Sequence, residues 1–107
     1  MNIQFKKGVL ELCVLSMLLK ADRYGYDLSS SLTEIISISD GTIYPILRRL
    51  RTDGYVTTYL QESSGGPPRK YYQLTDTGRS EQNSLEQEWS HFVGKVQSIV
   101  AGGQEDE

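Results

Sequence analysis

The chain has 107 residues, a net charge of −3, one cysteine and one histidine. That length holds a single domain with one modest core. One cysteine excludes an internal disulfide, and one histidine leaves no metal-ligand spacing to assemble.

The run Val9 to Leu19 is interrupted by Glu11 and Ser16. It is shorter than the roughly 20 apolar residues that span a bilayer. No small-residue cleavage site follows it, so the expectation is a soluble cytoplasmic chain without a signal peptide.

Phe5 to Lys20 predicts a first helix, apolar nearly all the way round from Leu12 to Leu19. Such a helix must be covered on more than one side. Cys13 lies within it and suits a small buried hydrophobe better than a reactive thiol. Ala21-Asp22-Arg23 breaks the helix. Gly25 opens a second, with Asp27 in its first turn and Leu28, Leu32, Ile35 and Ile36 at core spacing. Ile36 to Ser39 then alternates for long enough to form a bridge-length strand.

The next segment, SDGTIYPILRRL, Ser39 to Leu50, predicts a third helix capped by the side chain of Ser39 or Asp40. At 100° per residue Ile43, Ile46, Leu47 and Leu50 form its core face. Gly41, Thr42, Pro45, Arg48, Arg49 and Thr52 gather on the opposite face, with Tyr44 at the flank. A proline just past the first turn removes one helical hydrogen bond. Gly54 is placed to end the helix in a left-handed conformation.

From Tyr55 the period falls to two. Val56, Thr58 and Leu60 face one way, and Thr57, Tyr59 and Gln61 the other. A second run, Arg69 to Leu74, follows Glu62-Ser63-Ser64-Gly65-Gly66-Pro67-Pro68, so the expectation is a β-hairpin with a long tip. Thr75 or Asp76 caps a last helix reaching about Val100. Leu85, Trp89, Phe92, Val96 and Ile99 follow one another at spacings of 4, 3, 4 and 3, with Val93 and Val100 beside them. That is a short coiled-coil-like seam, expected to join two copies.

The fold class is therefore mainly α with a small β-hairpin. A winged helix-turn-helix (1–75) is followed by a C-terminal dimerisation helix (76–101) and a disordered tail (102–107).

Charge is distributed unevenly along this framework. Residues 48–70 hold Arg48, Arg49, Arg51, Arg69 and Lys70 against Asp53 and Glu62, whereas residues 76–107 hold seven acids against Arg79 and Lys95. A basic middle in an acidic chain points to a local anion-binding surface. In helix-turn-helix proteins the N-terminal end of the second helix approaches base edges. Ser39, Thr42, Tyr44 and Pro45 occupy that end, with Arg48 and Arg49 one turn on and Arg69 and Lys70 on the wing, suited to phosphates. The competing readings are a tight corner for Gly41 and Pro45 and a solvated helix face for the arginines. A winged-helix protein–protein interaction module without sequence-specific DNA binding is the alternative function. No nucleophile–base pair, phosphate-cradling loop or cofactor motif can be assembled, and His91 beside Trp89 reads as a surface or interface residue, so an enzyme is not expected.

Three segments resemble the PadR family of bacterial transcriptional repressors. They are Tyr24-Gly25-Tyr26; Gly41-Thr42-Ile43-Tyr44-Pro45 with Leu47, Arg49, Leu50 and Gly54; and Gly65-Gly66 leading to Arg69-Lys70-Tyr71-Tyr72-Gln73-Leu74-Thr75. The resemblance covers the chain from about Phe5 to Val100. The single helix after the wing is similar to the small subfamily that includes multidrug-binding members. It implies a homodimer crossing through that helix, a pseudo-palindromic double-stranded DNA operator, and release by a small hydrophobic or aromatic effector held near Trp89. The effector would sit between the paired tryptophans at the dimer centre, in a cavity lined across the dimer by Phe5, Gly8, Leu12 and Leu15, at 3, 4, 3 spacing, with Trp89 and Val93. Two departures stand out. Pro67-Pro68 stiffens the wing, and Val93 stands one turn from Trp89 where a carboxylate would hold a cation. Glu86 and Glu88 are near only in sequence, so a cationic ligand is not expected.

Overall fold

The computed structural model describes the backbone of residues 3–102 and the side chains of residues 8–102. The elements run α1 (Ile3–Lys20), β1 (Arg23–Tyr24), α2 (Gly25–Ile36), α3 (Asp40–Thr52), β2 (Val56–Ser63), β3 (Gly66–Leu74) and α4 (Asp76–Gly102). The three strands form an antiparallel sheet of order β1-β3-β2. This is the mainly helical winged helix-turn-helix that the sequence predicts. The expected tail lies outside the described residues beyond Gly102.

The core is built where the helical periods meet. Leu10, Val14, Leu15 and Leu18 of α1 pack with Leu28 and Leu32 of α2, Ile43, Ile46, Leu47 and Leu50 of α3, and Val56, Tyr72 and Leu74 of the sheet. Each fully buried aliphatic side chain contributes about 1.5–3 kcal/mol. α1 is covered by α4 on one side and by α3 and β3 on another, as an all-round apolar helix requires. Cys13 packs half-buried against this core, and burial pushes its thiol pKa up.

Two expectations around α2 change. Ile35 and Ile36 are exposed, at 73% and 38%. The helix stops one residue later at Ser37, whose left-handed φ of 54° turns the chain inward, and Ile38 takes the core position instead. The alternation at Ile36–Ser39 is thus a helix stop and not a strand. The bridge-length strand lies at Arg23–Tyr24, paired with Tyr72 and Tyr71.

α3 ends as predicted. Gly54 adopts φ 82°, its N–H donates to the Arg51 carbonyl, and the Tyr55 N–H donates to the Leu50 carbonyl, the paired bonds of a Schellman motif. At the other end Ser39 sits at the cap position in extended conformation, but neither its side chain nor that of Asp40 caps the helix. The Ser39 carbonyl accepts the Thr42 and Ile43 N–H groups, while the Asp40 carboxylate accepts the Ser29 hydroxyl. That bond ties the turn between α2 and α3 together.

The wing is longer and its tip shorter than expected. Strand pairing continues to Ser63↔Gly66, leaving Ser64-Gly65 as the turn with Gly65 at φ 76°. Pro67 and Pro68 lie inside β3, where the register is irregular and β1 has already ended. A missing N–H is tolerated on such an open edge. At the wing base, the Asp22 carboxylate accepts the Tyr59 hydroxyl at 2.8 Å and the Gln73 amide at 3.2 Å.

α4 begins inside the same core. The Thr75 hydroxyl accepts the Gly78 N–H at 3.0 Å as the helix cap and donates to the Gly54 carbonyl at 2.7 Å. A Cβ on Gly78 would stand 2.0 Å from the Tyr55 carbonyl oxygen, so only glycine permits this approach. Buried Gln82 then donates to Ser16 of α1 and to Glu86. Beyond Leu85 the helix leaves the body. Its 27 residues span about 40 Å at 1.5 Å each. The radius of gyration is accordingly 16.7 Å, against about 13 Å for a compact chain of this size.

Candidate nucleic-acid interface

The outward side of α3 carries the residues that the sequence assigns to it, with one exception. Gly41, Tyr44, Pro45 and Arg48 are exposed and Thr42 is half-buried, its hydroxyl 3.4 Å from that of Ser39. Arg49 is different. Its guanidinium is ion-paired with Glu11 of α1, with only 30% of the side chain exposed. It therefore joins α3 to α1 and is not presented outward with Arg48. A helical wheel separates inward from outward positions, but the carboxylate on a neighbouring helix is invisible to it.

Arg51, which the face assignment left out, is exposed on this side of the helix. Positions 44, 48 and 51 share one stripe at i, i+4 and i+7, and that spacing was the signal available. Tyr44, Arg48 and Arg51 line a pocket of about 410 Å³ together with Lys70 of β3. The remaining walls are Tyr24, Gly25 and Tyr26 at the start of α2, and Tyr72. Among the described residues none of Arg48, Arg51 and Lys70 forms an ion pair.

Aromatic rings hold this side of the molecule in place. Tyr24 stands 6.1 Å from Tyr26 and 6.0 Å from Tyr71, and Tyr71 stacks on Tyr59 at 5.7 Å. Arg69 lies over the Tyr24 ring at 4.9 Å, a cation–π contact that fixes the wing arginine at the pocket rim. Burial, then the Asp40 carboxylate, pushes the Tyr44 pKa up. Burial raises Tyr72 too, with Arg51 and Arg48 pulling partly against it. Both phenols are hydrogen-bond donors at neutral pH.

Gly41 separates a structural from an external requirement. A Cβ built there would meet only the Ser39 hydroxyl, at an ordinary 3.7 Å, and its φ is not left-handed. Nothing in the fold needs glycine here, although it costs a helix about 0.8–1 kcal/mol relative to alanine. The tight-corner reading therefore lacks a steric basis at position 41. The missing side chain leaves open space on the outward side of the α3 tip.

A second candidate site lies where α4 leaves α1. Gly8, Val9, Leu12, Leu85, Glu88, Trp89 and Phe92 line an apolar cleft of about 260 Å³. Gly8, Leu12 and Trp89 of one chain meet there, whereas the resemblance implies a cavity lined across a dimer. Leu15 does not; it is fully buried in the core. Val93 is half-buried outside the lining, and the Phe5 side chain lies outside the described residues. Glu88, whose direction the sequence left open, is among the lining residues. Glu86 instead accepts the Gln82 amide. Of the seam residues Leu85 packs on the core, while Trp89, Phe92, Val96 and Ile99 are 39%, 47%, 40% and 73% exposed.

With fold and surfaces defined, comparison with known proteins assigns the class. Residues 14–84 match the transcriptional regulator PadR-like family. A Streptococcus mutans protein of known crystal structure is 42% identical, with 90% of each chain covered and a TM-score of 0.83. The PadR-like transcriptional regulator from Bacillus cereus is 36% identical over 91% of this chain and 96% of that one, with a TM-score of 0.80. The negative transcriptional regulator PadR of Bacillus subtilis is 32% identical over 77 residues, which are 68% of this chain and 42% of that longer protein. The chain belongs to the PadR-like family of transcriptional regulators, and DNA-binding regulation is the function that membership brings. Among the described residues no helix is long and apolar enough to cross a membrane.

Proposed function

We propose that the chain acts as a homodimeric repressor that binds a pseudo-palindromic operator and is released by a small hydrophobic or aromatic effector. Each subunit inserts the N-terminal end of α3 into a major groove. Ser39, Thr42, Tyr44 and Pro45 approach base edges, and Arg48, Arg51, Arg69 and Lys70 hold phosphates. Arg49 contributes by keeping α3 in register with α1. The observation that carries the reading is the convergence of unpaired cations from α3 and the wing beside a helix tip whose glycine the fold does not require.

Dimerisation follows from α4. Val96, Ile99 and Val100, at 40%, 73% and 68% exposure, continue the seam that starts at Leu85. A second copy supplies the same stripe in return, the self-complementary arrangement that a two-fold axis needs. Each dimer then carries two α3 tips, matched to half-sites roughly 34–36 Å apart or a multiple of that. An effector in the Trp89 cleft would touch α1 and α4 together, and so bias the spacing of the tips by favouring one dimer arrangement. Trp89 and Phe92 supply aromatic lining to that cleft.

Selection of duplexes from a random library by the purified protein tests the proposal. An enriched two-fold motif with half-sites about 10 base pairs apart, or a multiple, supports it. Enrichment of a single unpaired half-site would rule out the dimeric mode.

A further inference from the structure

We infer that the pocket between the start of α2, α3 and the wing is a dedicated seat for one phosphodiester of the DNA backbone with its attached deoxyribose. The inference rests on the DNA-binding reading and narrows it to one phosphate per subunit with Arg51 as a principal ligand.

Charge is the first support. Arg48, Arg51 and Lys70 converge on the pocket, and no carboxylate lines it. Three cations brought together without a counter-charge repel one another, and an anion in their midst relieves that repulsion.

Backbone geometry adds an independent donor set. The first N–H groups of a helix have no partners within it, and the helix dipole makes that end positive. Here the cap residue Tyr24 makes no side-chain cap hydrogen bond, and Gly25 itself lines the pocket. A Cβ on Gly25 would stand 3.0 Å from Cε1 of Tyr72 and 3.8 Å from the Lys70 carbonyl. Its absence lets the start of α2 settle against β3, which brings the positive end of the helix and Lys70 to one pocket. A phosphate oxygen is the acceptor such a set of N–H donors and cations fits.

The walls fit what is attached to the phosphate. Tyr24 and Tyr26 give ring surface for the carbon face of a sugar, and their hydroxyls can donate to non-bridging oxygens. At about 410 Å³ the pocket is larger than a bare phosphate needs. All three contributing elements are held by the core, so the seat is formed before DNA arrives and loses little ordering entropy.

The test uses full-length chain and a duplex selected from random sequence by the parent protein. Arg51→Gln should weaken binding about tenfold at moderate salt and lower the log–log salt slope by about 0.9 per subunit. Arg79→Gln on the exposed start of α4 serves as the control and should change neither. Ethylating phosphates singly should identify one position per half-site that blocks the parent and has little further effect on Arg51→Gln. Parent affinity, slope and ethylation pattern retained in Arg51→Gln would overturn the seat while leaving DNA binding intact. Failure of the parent itself to bind any duplex would instead remove the underlying reading. Competition by deoxynucleoside monophosphate distinguishes sources: displacement of duplex from the parent at concentrations where it stays bound to Arg51→Gln would assign the seat to a free phosphate ester instead.

Discussion

The α3–wing face and the outer half of α4 are both open to solvent, and they differ in what they leave uncompensated. The first exposes cations on a rigid base: Arg69 sits on Tyr24, the wing is tied to Asp22, and α3 is bolted to α1 through Arg49 and Glu11. The second exposes aliphatic and aromatic surface on a helix that has already left the core. A surface short of counter-charge favours a polyanion, and association there is strongly salt-dependent. A surface short of apolar cover favours another apolar surface, and association there depends far less on salt. On the proposed reading, one small acidic chain binds DNA through a part of its surface while the rest assembles the dimer.

That contrast yields predictions, the largest effect first. Replacing Arg48 and Lys70 together with glutamine should weaken duplex binding on the order of a hundredfold, because each charge-assisted hydrogen bond is worth about 1.5–3 kcal/mol. Sedimentation should find the dimer unchanged. A double variant that binds as the parent does would place the DNA surface elsewhere.

Trp89→Ala should weaken dimerisation by about thirtyfold, the cost of losing an aromatic hot spot of about 2 kcal/mol. It should also lower the response to any effector that releases the parent from DNA. Val96→Glu should act on dimerisation alone. Analytical ultracentrifugation across a concentration series reads the loss of dimer in both, and effector titration of the duplex complex separates the two.

A pair of glycine substitutions sharpens the comparison. Gly78→Ala should destabilise the fold by about 1–3 kcal/mol, since overpacking against the Tyr55 carbonyl forces α4 off its seat. Gly41→Ala should do the reverse, stabilising by about 0.5–1 kcal/mol, while weakening DNA binding. Thermal melts read the first effect and gel-shift titrations the second. If Gly41→Ala bound duplex as tightly as the parent, close approach at the α3 tip would be excluded.

The smallest effect is on pH dependence. Tyr44 and Tyr72 hold their protons more tightly when folded than when unfolded. Their contribution is fully present below the ordinary phenol pKa of about 10 and is lost as pH rises through the higher folded values. Stability should thus be insensitive to these two groups near neutrality and fall in the alkaline range. Tyr72→Phe should blunt that fall, as denaturant titrations at successive pH values would reveal.

How much of this was legible beforehand follows from the range of each signal. The core stripe of α3, Ile43 to Leu50, was readable because burial there obeys a single helical period. Gly54 was readable because its φ follows from the local helix end. Ile35 and Ile36 misled because they keep the helical period to the end of α2, yet Ser37 turns the chain so that Ile38 takes the core contact instead. β1 escaped because two residues carry no period; Tyr72 and Tyr71, nearly fifty residues away, make it a strand. The internal pairing of Arg49 depended on Glu11 across a helix interface, and the place of Glu88 in the cleft lining on how α4 packs against α1. Sequence reported each element's own face, and tertiary packing decided which charged group on that face was spent internally.

The central claim is that two chains joined through α4 engage one duplex with both α3 faces. Stoichiometry measured by sedimentation equilibrium of the protein with its selected duplex tests it most directly. The account predicts two chains on each duplex, with binding that declines steeply as salt is raised. A complex of one chain per duplex, or one indifferent to salt, would contradict it.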